Sequence, residues 1–454
     1  MQTPVLEAKI LEKLEETLSL SIKTLTNAVE TGNLHAFELN LEKITKSLYN
    51  EIAEVILTEL TQSESFESVL REKAKSLRLG KLKRQTTSVQ LRTGYYVELT
   101  SLYAKKAPKS YVGSRHLFHI HFGTIKGASP RYCSLLSAYS VLCCSFEVAL
   151  NLLELQGIHT NLERIRTVSL AVAKHCAPNR SSLSLKKGET LANKRVVISV
   201  DGGRTRLRES KGEYNEKGTH EKFETHWREP KLFVISTLDE QGKMDKKQQA
   251  IYDATFGDDE IFGLLAQYLK NLEIDKALEV QFIADGATWI WNRAQSMLLK
   301  LGVAPHKIVE TLDYFHATQH LSEMIDLLSK NDLEKHKINT HSLFKELKQL
   351  LWNGQFPDIL KRLKQITNHF QDALLTHVNY FLNHRQRINY QMLNQRKLLA
   401  GSGIVESAIR RIINLRFKSA SAFWLKQNVE ALMFFRCVFL AKRWNNLISN
   451  LTNP

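Results

Sequence analysis

A chain of 454 residues is too long for one compact core and is expected to divide into about two to four domains. Its hydrophobic fraction of 43% and charged fraction of 24% are those of an ordinary soluble globular protein, and the most apolar stretch, 431–441, is broken by Arg436, which excludes a helical membrane span. A formal net charge of +16 favours a polyanionic partner, because Lys and Arg gain affinity by releasing counterions from phosphates, although a basic surface that binds nothing carries the same charge.

The N-terminal region, 1–84, reads as two helices split by Thr31-Gly32-Asn33. In the second, Phe37, Leu41, Ile44, Leu48, Ile52 and Val55 recur at steps of three and four, which suits a helical hairpin, a dimer seam, or a helix packed on its own domain. Arg71, Lys73, Lys75, Arg78, Lys81, Lys83 and Arg84 follow as a basic cluster, read as a solvated face or linker, with phosphate contact as the second reading.

A second region, 85–190, opens with a hairpin over 88–102, turning at Thr93-Gly94, and a basic loop with Lys105, Lys106 and Lys109. Further on, Ser145 caps a helix stopped by Gly157. A second helix with Leu162, Ile165 and Val168 then carries Arg164 and Arg166, a helix-turn-helix layout that a simple packing unit shares. Residues 177–195 read as a linker. The five cysteines, at 133, 143, 144, 176 and 437, include no CxxC pair, and the N-terminus lacks a signal-peptide layout, so a reducing cytoplasm is expected.

The third region is expected to be α/β, over 191–318 plus 401–447, interrupted by an all-helical insertion at 319–400. Strands are expected at 196–200, 231–238, 249–254, 279–284 and 308–312, with helices at 259–272 and 288–301, the layer pattern of a mixed sheet. Two of the expected strands end in Asp-Gly: Val-Val-Ile-Ser-Val-Asp201-Gly-Gly and Val-Gln-Phe-Ile-Ala-Asp285-Gly. Ligands gather at the carboxyl ends of strands in open α/β sheets, although Asp-Gly alone is more often a turn. Glu406, in Gly-Ser-Gly-Ile-Val-Glu-Ser, lies beside an apolar helical stripe of Val405, Ala408, Ile409, Ile412 and Ile413. Three such carboxylates can hold divalent metal for phosphodiester chemistry, with Mg²⁺ as the expected ion and Mn²⁺ able to substitute. Arg204 and Arg206 follow the first acid, and Arg410, Arg411 and Lys418 follow Glu406, which suits a polyanionic substrate.

Four blocks, V-V-I-S-V-D-G-G-R at 196–204, F-I-A-D-G-A-T-W-I-W at 282–291, L-D-Y-F-H-A at 312–317 and G-S-G-I-V-E-S at 401–407, together with L-R-F-K-S-A-S-A-F-W at 415–424, resemble DDE-type insertion-sequence transposases of the Mutator-like group. The resemblance covers roughly 195–445 and implies a ribonuclease-H-like α/β catalytic domain, with the mainly helical N-terminal region binding DNA. It implies Asp201, Asp285 and Glu406 as the metal triad, with Asp313 and His316 in support. It also implies binding of terminal inverted repeats, cleavage at the element ends, joining to target DNA, and at least a dimer on DNA, in a bacterial cytoplasm and nucleoid with no membrane partner. Relatives often carry a zinc-like patch after the first hairpin; here only His116, His119, His121 and Cys133 lie nearby, and no zinc is expected there. A nuclease or resolvase on the same fold, and a transposase-derived DNA-binding regulator without catalysis, are the alternative functions.

Overall fold

A computed structural model describes residues 3–106, 113–216, 218–219, 221–367, 370–418 and 422–452. Pro108, Lys109, His220 and the Ser-Ala-Ser of 419–421 lie outside them. The chain divides into two compact units, Met1–Pro178 with Ile448–Pro454, and Asn179–Leu447.

In the first unit the helices Thr3–Glu30 and Leu34–Gln62 form an antiparallel hairpin, its second member capped by the Asn33 side chain. A third helix, Glu64–Ser76, leads into a three-stranded sheet of β1 (Leu79–Gln90), β2 (Tyr96–Lys106) and β3 (Arg115–His116). The basic cluster is therefore no linker. It spans the end of a helix and the first half of a strand, and Arg71 and Arg84 both grip Glu67, at 2.5 Å each. From Lys83 to Thr86 β1 is exposed on both faces, so its sequence there lacks the alternation that announces a strand. The helices Phe146–Leu155 and Leu162–Cys176 follow, with Gly157 in the left-handed region (φ 63°) between them, where an L side chain is strained.

The second unit is built on a five-stranded mixed sheet. It contains β4 (Arg195–Gly202), β7 (Pro230–Leu238), β8 (Ile251–Phe256), β9 (Glu279–Ala284) and β10 (Ile308–Leu312), in the order β10-β9-β4-β7-β8. Only β7 runs against the others: it is antiparallel to β4 and β8, while β4, β9 and β10 are mutually parallel. Between β4 and β7 the chain inserts a two-stranded hairpin, β5 (Thr205–Tyr214) and β6 (Glu221–Arg228).

Period-two alternation divides the β4 and β9 side chains between two cores. Val196, Ile198, Val200, Val280 and Phe282 pack under the helices Asp258–Asn271 and Ala294–Lys300. Val197, Ile283 and Val309 pack on the other side, against the helix Tyr314–Asp326 and the helical insertion, which runs from Lys330–Lys335 to Tyr390–Gln395. The expected helix over 288–301 is two short ones, Thr288–Trp291 and Ala294–Lys300. The expected linker at 177–195 folds instead into the second unit. Leu185 and Leu191 are buried there, the Ser184 hydroxyl meets the Tyr268 hydroxyl at 2.9 Å, and Arg180 pairs with the fully buried Asp253 at 3.2 Å. Its Ser- and Lys-rich composition hides these few anchoring residues.

Candidate active site

Two ladders decide where the acids stand. In the parallel pair β4–β9, Ser199 is opposite Ile283, so Asp201 and Asp285, each two residues further on, come level. In the pair β9–β10, Leu312 is opposite Ala284, and the Asp313 amide donates to the Ala284 carbonyl at 2.8 Å, so Asp313 comes level with Asp285. Three carboxylates thus stand in a row at the carboxyl ends of three adjacent parallel strands, which lie about 4.8 Å apart. Counted in steps of two from Val197, Ile283 and Val309, all three belong to the sheet face that carries the helical insertion.

Glu406 reaches the Asp313 end of this row because the chain returning from the insertion is tied down in sequence. The Gln281 side chain, fully buried on β9, donates to the Leu399 carbonyl at 2.6 Å and accepts the Leu399 amide at 3.1 Å. The Tyr314 amide donates to the Ala400 carbonyl at 3.0 Å, and the Ser402 amide donates to Asp313 Oδ2. The helix Gly403–Ile409 starts there and packs across β4 and β7. Its exposed Glu406 ends 4.0 Å from His316 Nδ1. Asp313, His316 and Glu406 each offer a donor atom within 4.8 Å of the others.

The acids differ in what they are free to do. Asp313 is fully buried and caps the helix Tyr314–Asp326, accepting the His316 amide at 2.8 Å, while its other oxygen takes the Ser402 amide. Burial pushes its carboxyl up, but His316 and these amides outweigh burial and hold the pKa at about 2. Both oxygens are therefore occupied in positioning. Asp201 spends Oδ1 on the Gly202 amide at 2.6 Å and Asp285 spends Oδ1 on the Ala287 amide at 2.9 Å; their second oxygens accept no hydrogen bond among the described residues. Burial, with a smaller contribution from the Asp285 carboxylate, pushes Asp201 up to about 6. His316 is the compensating cation: Nδ1 lies 3.2 Å from Asp313, and that contact, helped by Asp285 and Glu406 against the cost of burial, raises it to about 9.

Close packing holds the second Asp-Gly. A Cβ on Gly286 would come within 2.0 Å of the Tyr380 ring, the Trp291 indole donates to the Asp285 carbonyl at 2.6 Å, and the His384 ring meets the Gly286 carbonyl at 3.2 Å. A cavity of about 540 Å³ opens beside this loop, lined among others by Trp291, Asn379, Tyr380 and His384. On β7, opposite Gly202, the buried Lys231 lies 3.1 Å from Glu229, with its ammonium 4.0 Å above the Trp289 ring.

Among the described residues Arg204, Arg206, Arg410 and Lys418 form no ion pair, and Arg204, Arg410 and Lys418 are exposed. Arg411 is half-buried and bonds back to the Ser407 carbonyl at 3.2 Å. In the first unit the Arg164 guanidinium is engaged by the Gln90 side chain at 2.7 Å and the Lys126 carbonyl at 2.9 Å, and Arg166 pairs with Glu163 at 2.6 Å. His119 uses both ring nitrogens on Thr87 and Thr124, and burial pushes the Cys133 thiol up to about 12. Gln281 and Tyr380 escaped the sequence reading. The signal for Gln281 was present, a polar residue inside the apolar run Val-Gln-Phe-Ile-Ala. For Tyr380, one aromatic among the many of a helical segment, there was none.

No family model matches the chain, and no curated protein matches it. Among solved structures the chain aligns with the Drosophila P element transposase strand transfer complex at a TM-score of 0.27 and 15% identity, over 72% of this chain and 84% of that chain. A TM-score of that size carries no argument about fold or function.

Proposed function

We propose that the chain is a DDE-type DNA transposase, with Asp201, Asp285 and Glu406 as its metal ligands on a ribonuclease-H-like sheet. The observation that carries this reading is the row of carboxylates at the ends of β4, β9 and β10, with Glu406 strapped over it through Ser402 and Asp313. The sheet supports it too. In chain order its strands run 3-2-1-4-5 with only the second reversed, a mixed sheet as that reading expects.

The donor set fits Mg²⁺. It offers hard carboxylate oxygens, two of them without hydrogen bonds, in a site where burial, with Asp285 adding to it, pushes Asp201 up to about 6. Bound there, Mg²⁺ or Mn²⁺ would neutralise charge at phosphorus and activate the attacking oxygen. The remaining work falls to the protein. Asp313 lies 3.2 Å from His316 Nδ1, caps the helix that carries it, and fixes the start of the Glu406 helix. His316, protonated at neutral pH, donates a hydrogen bond or a proton to a phosphate or leaving oxygen that approaches the acids. Arg204, Arg206, Arg410 and Lys418 meet the flanking phosphates.

The β5–β6 hairpin grows directly from the first acid and offers a second contact surface. Exposed Trp227 stands opposite Arg206, and Arg208 lies 5.1 Å over Phe223, the mix of π-faces and cations that single-stranded nucleic acid stacks upon.

In this reading water first attacks the phosphorus at the element end and the 3′-oxygen leaves as a hydroxyl. That 3′-OH then attacks a target phosphorus and displaces a target 3′-oxygen. Incubating the protein with Mg²⁺, end-labelled DNA from the flanks of its gene, and a plasmid target tests this. Cleaved ends and joined products are expected; cleavage alone points to a nuclease, and shifted but uncut DNA to a regulator.

A further inference from the structure

We propose that His320, Glu323 and His377 form a second metal site, of the Zn²⁺ class, which clamps the helical insertion to the catalytic end of the sheet. It lies outside the acid row and does not depend on how that row is read.

The three side chains come from two helices. His320 and Glu323 sit one turn apart on Tyr314–Asp326, so they share a face, and His377 comes from Asp372–Asn383. His320 Nδ1 and His377 Nδ1 face each other at 2.8 Å; Glu323 Oε2 lies 3.8 Å from the first and 3.5 Å from the second. All three donor atoms fall within 4.8 Å of one another. Around a tetrahedral Zn²⁺ with bonds of about 2.0–2.1 Å, donors stand about 3.3 Å apart, so binding asks the two rings to separate by roughly half an ångström. Two imidazoles and one carboxylate suit Zn²⁺ or a neighbouring transition metal and not Mg²⁺, which prefers oxygen.

The surroundings hold the donors as an outer shell does. The Gln319 amide donates to Glu323 Oε1 at 3.0 Å, which turns Oε2 toward the histidines. The His320 ring stacks on Tyr380 at 3.8 Å with 23° between planes, so its orientation is fixed before any ion arrives. Side-chain exposures of 31%, 41% and 18% for His320, Glu323 and His377 leave one side open for a water ligand.

The site would matter because of what it clamps. His320 is one turn along the helix from His316. The helix that carries His377 also carries Tyr380, whose ring closes on Gly286, and leads into His384, which meets the Gly286 carbonyl. A metal joining these two helices fixes the wall against which the Asp285 loop is packed.

The test is a Co²⁺ and Zn²⁺ titration of the full-length, chelator-treated protein, read by the visible d–d absorption of Co²⁺ and by metal retained per chain. With millimolar Mg²⁺ present to occupy the acid row, we expect one Co²⁺ per chain with a visible band, displaced by Zn²⁺. H320A and H377A should lose the band, and E323Q should weaken binding by at least about tenfold. E323Q keeps the volume of a partly exposed side chain, so it remains informative if a histidine variant fails to fold. D201N should abolish DNA cleavage and leave the band intact, which separates this site from the acid row. A protein that retains no Co²⁺ or Zn²⁺, or whose H377A and E323Q forms bind as the wild type does, overturns the proposal and leaves a hydrogen-bonded histidine pair.

Discussion

At the scale of single residues, Asp313 and His316 form the pair on which the site turns. Asp313 is held at about 2, below its ordinary 3.8, and His316 at about 9, above its ordinary 6.5. The two shifts have opposite linkage. The His316 contribution to stability is complete below its unfolded pKa and disappears as pH rises through about 9; the Asp313 contribution is present above pH 3.8 and disappears as pH falls through about 2. Metal-free protein should therefore melt at progressively lower temperature as pH is raised from 7 to 10, and His316→Gln should flatten that slope. A slope unchanged in the variant would assign it to other groups. The strand-end positions of Asp201 and Asp285 were legible because each follows an apolar run and precedes glycine. Asp313 was named through resemblance alone, and its buried, fully bonded state is invisible in Leu-Asp-Tyr. What turns it into a positioning group is the Ser402 amide, which arrives from 89 residues away.

At the scale of elements, the segment 399–403 determines whether Glu406 arrives. Gln281→Leu should remove the partners of the Leu399 amide and carbonyl and cost about 1–3 kcal/mol in chemical denaturation. Cleavage should fall even at temperatures where the variant is fully folded, because the strap that carries Glu406 loosens. A loss of stability with cleavage intact would show that Glu406 needs no strap. The β5–β6 hairpin makes a separate prediction. Arg206→Ala should lower DNA affinity at every sequence and reduce the slope of log K against log salt by about 1, whereas Trp227→Ala should weaken single-stranded DNA more than duplex. Sequence marked this region as a charged hairpin with arginines, without fixing its strands. Its strands alternate weakly, since most of both faces are exposed. The strands with a buried face, β9 and β10, were readable to the residue.

At the scale of the whole molecule, the helical insertion was legible as helices, and its fold-back was not, because that depends on contacts such as Gln281 with Leu399 and Tyr380 with Gly286 that join distant segments. The same holds for the apparent linker before β4. There Glu189 receives a bidentate pair from Arg443, both bonds 2.6 Å, with the side chains 9% and 1% exposed. Burial alone would raise the Glu189 carboxyl, and Arg443 outweighs it and lowers the pKa. Arg443→Ala strands that buried carboxylate and should destabilise the second unit by about 3–5 kcal/mol, measured by urea unfolding. Stability equal to wild type would mean that water already reaches the pair. The central claim is that Asp201, Asp285 and Glu406 hold divalent metal, and anomalous scattering from a Mn²⁺-soaked crystal measures it most directly. Peaks about 2 Å from Asp201 are expected, one shared with Asp285 and one with Glu406, and none in Asp201→Asn. A crystal with no peak there, or with the same peak in Asp201→Asn, would contradict it.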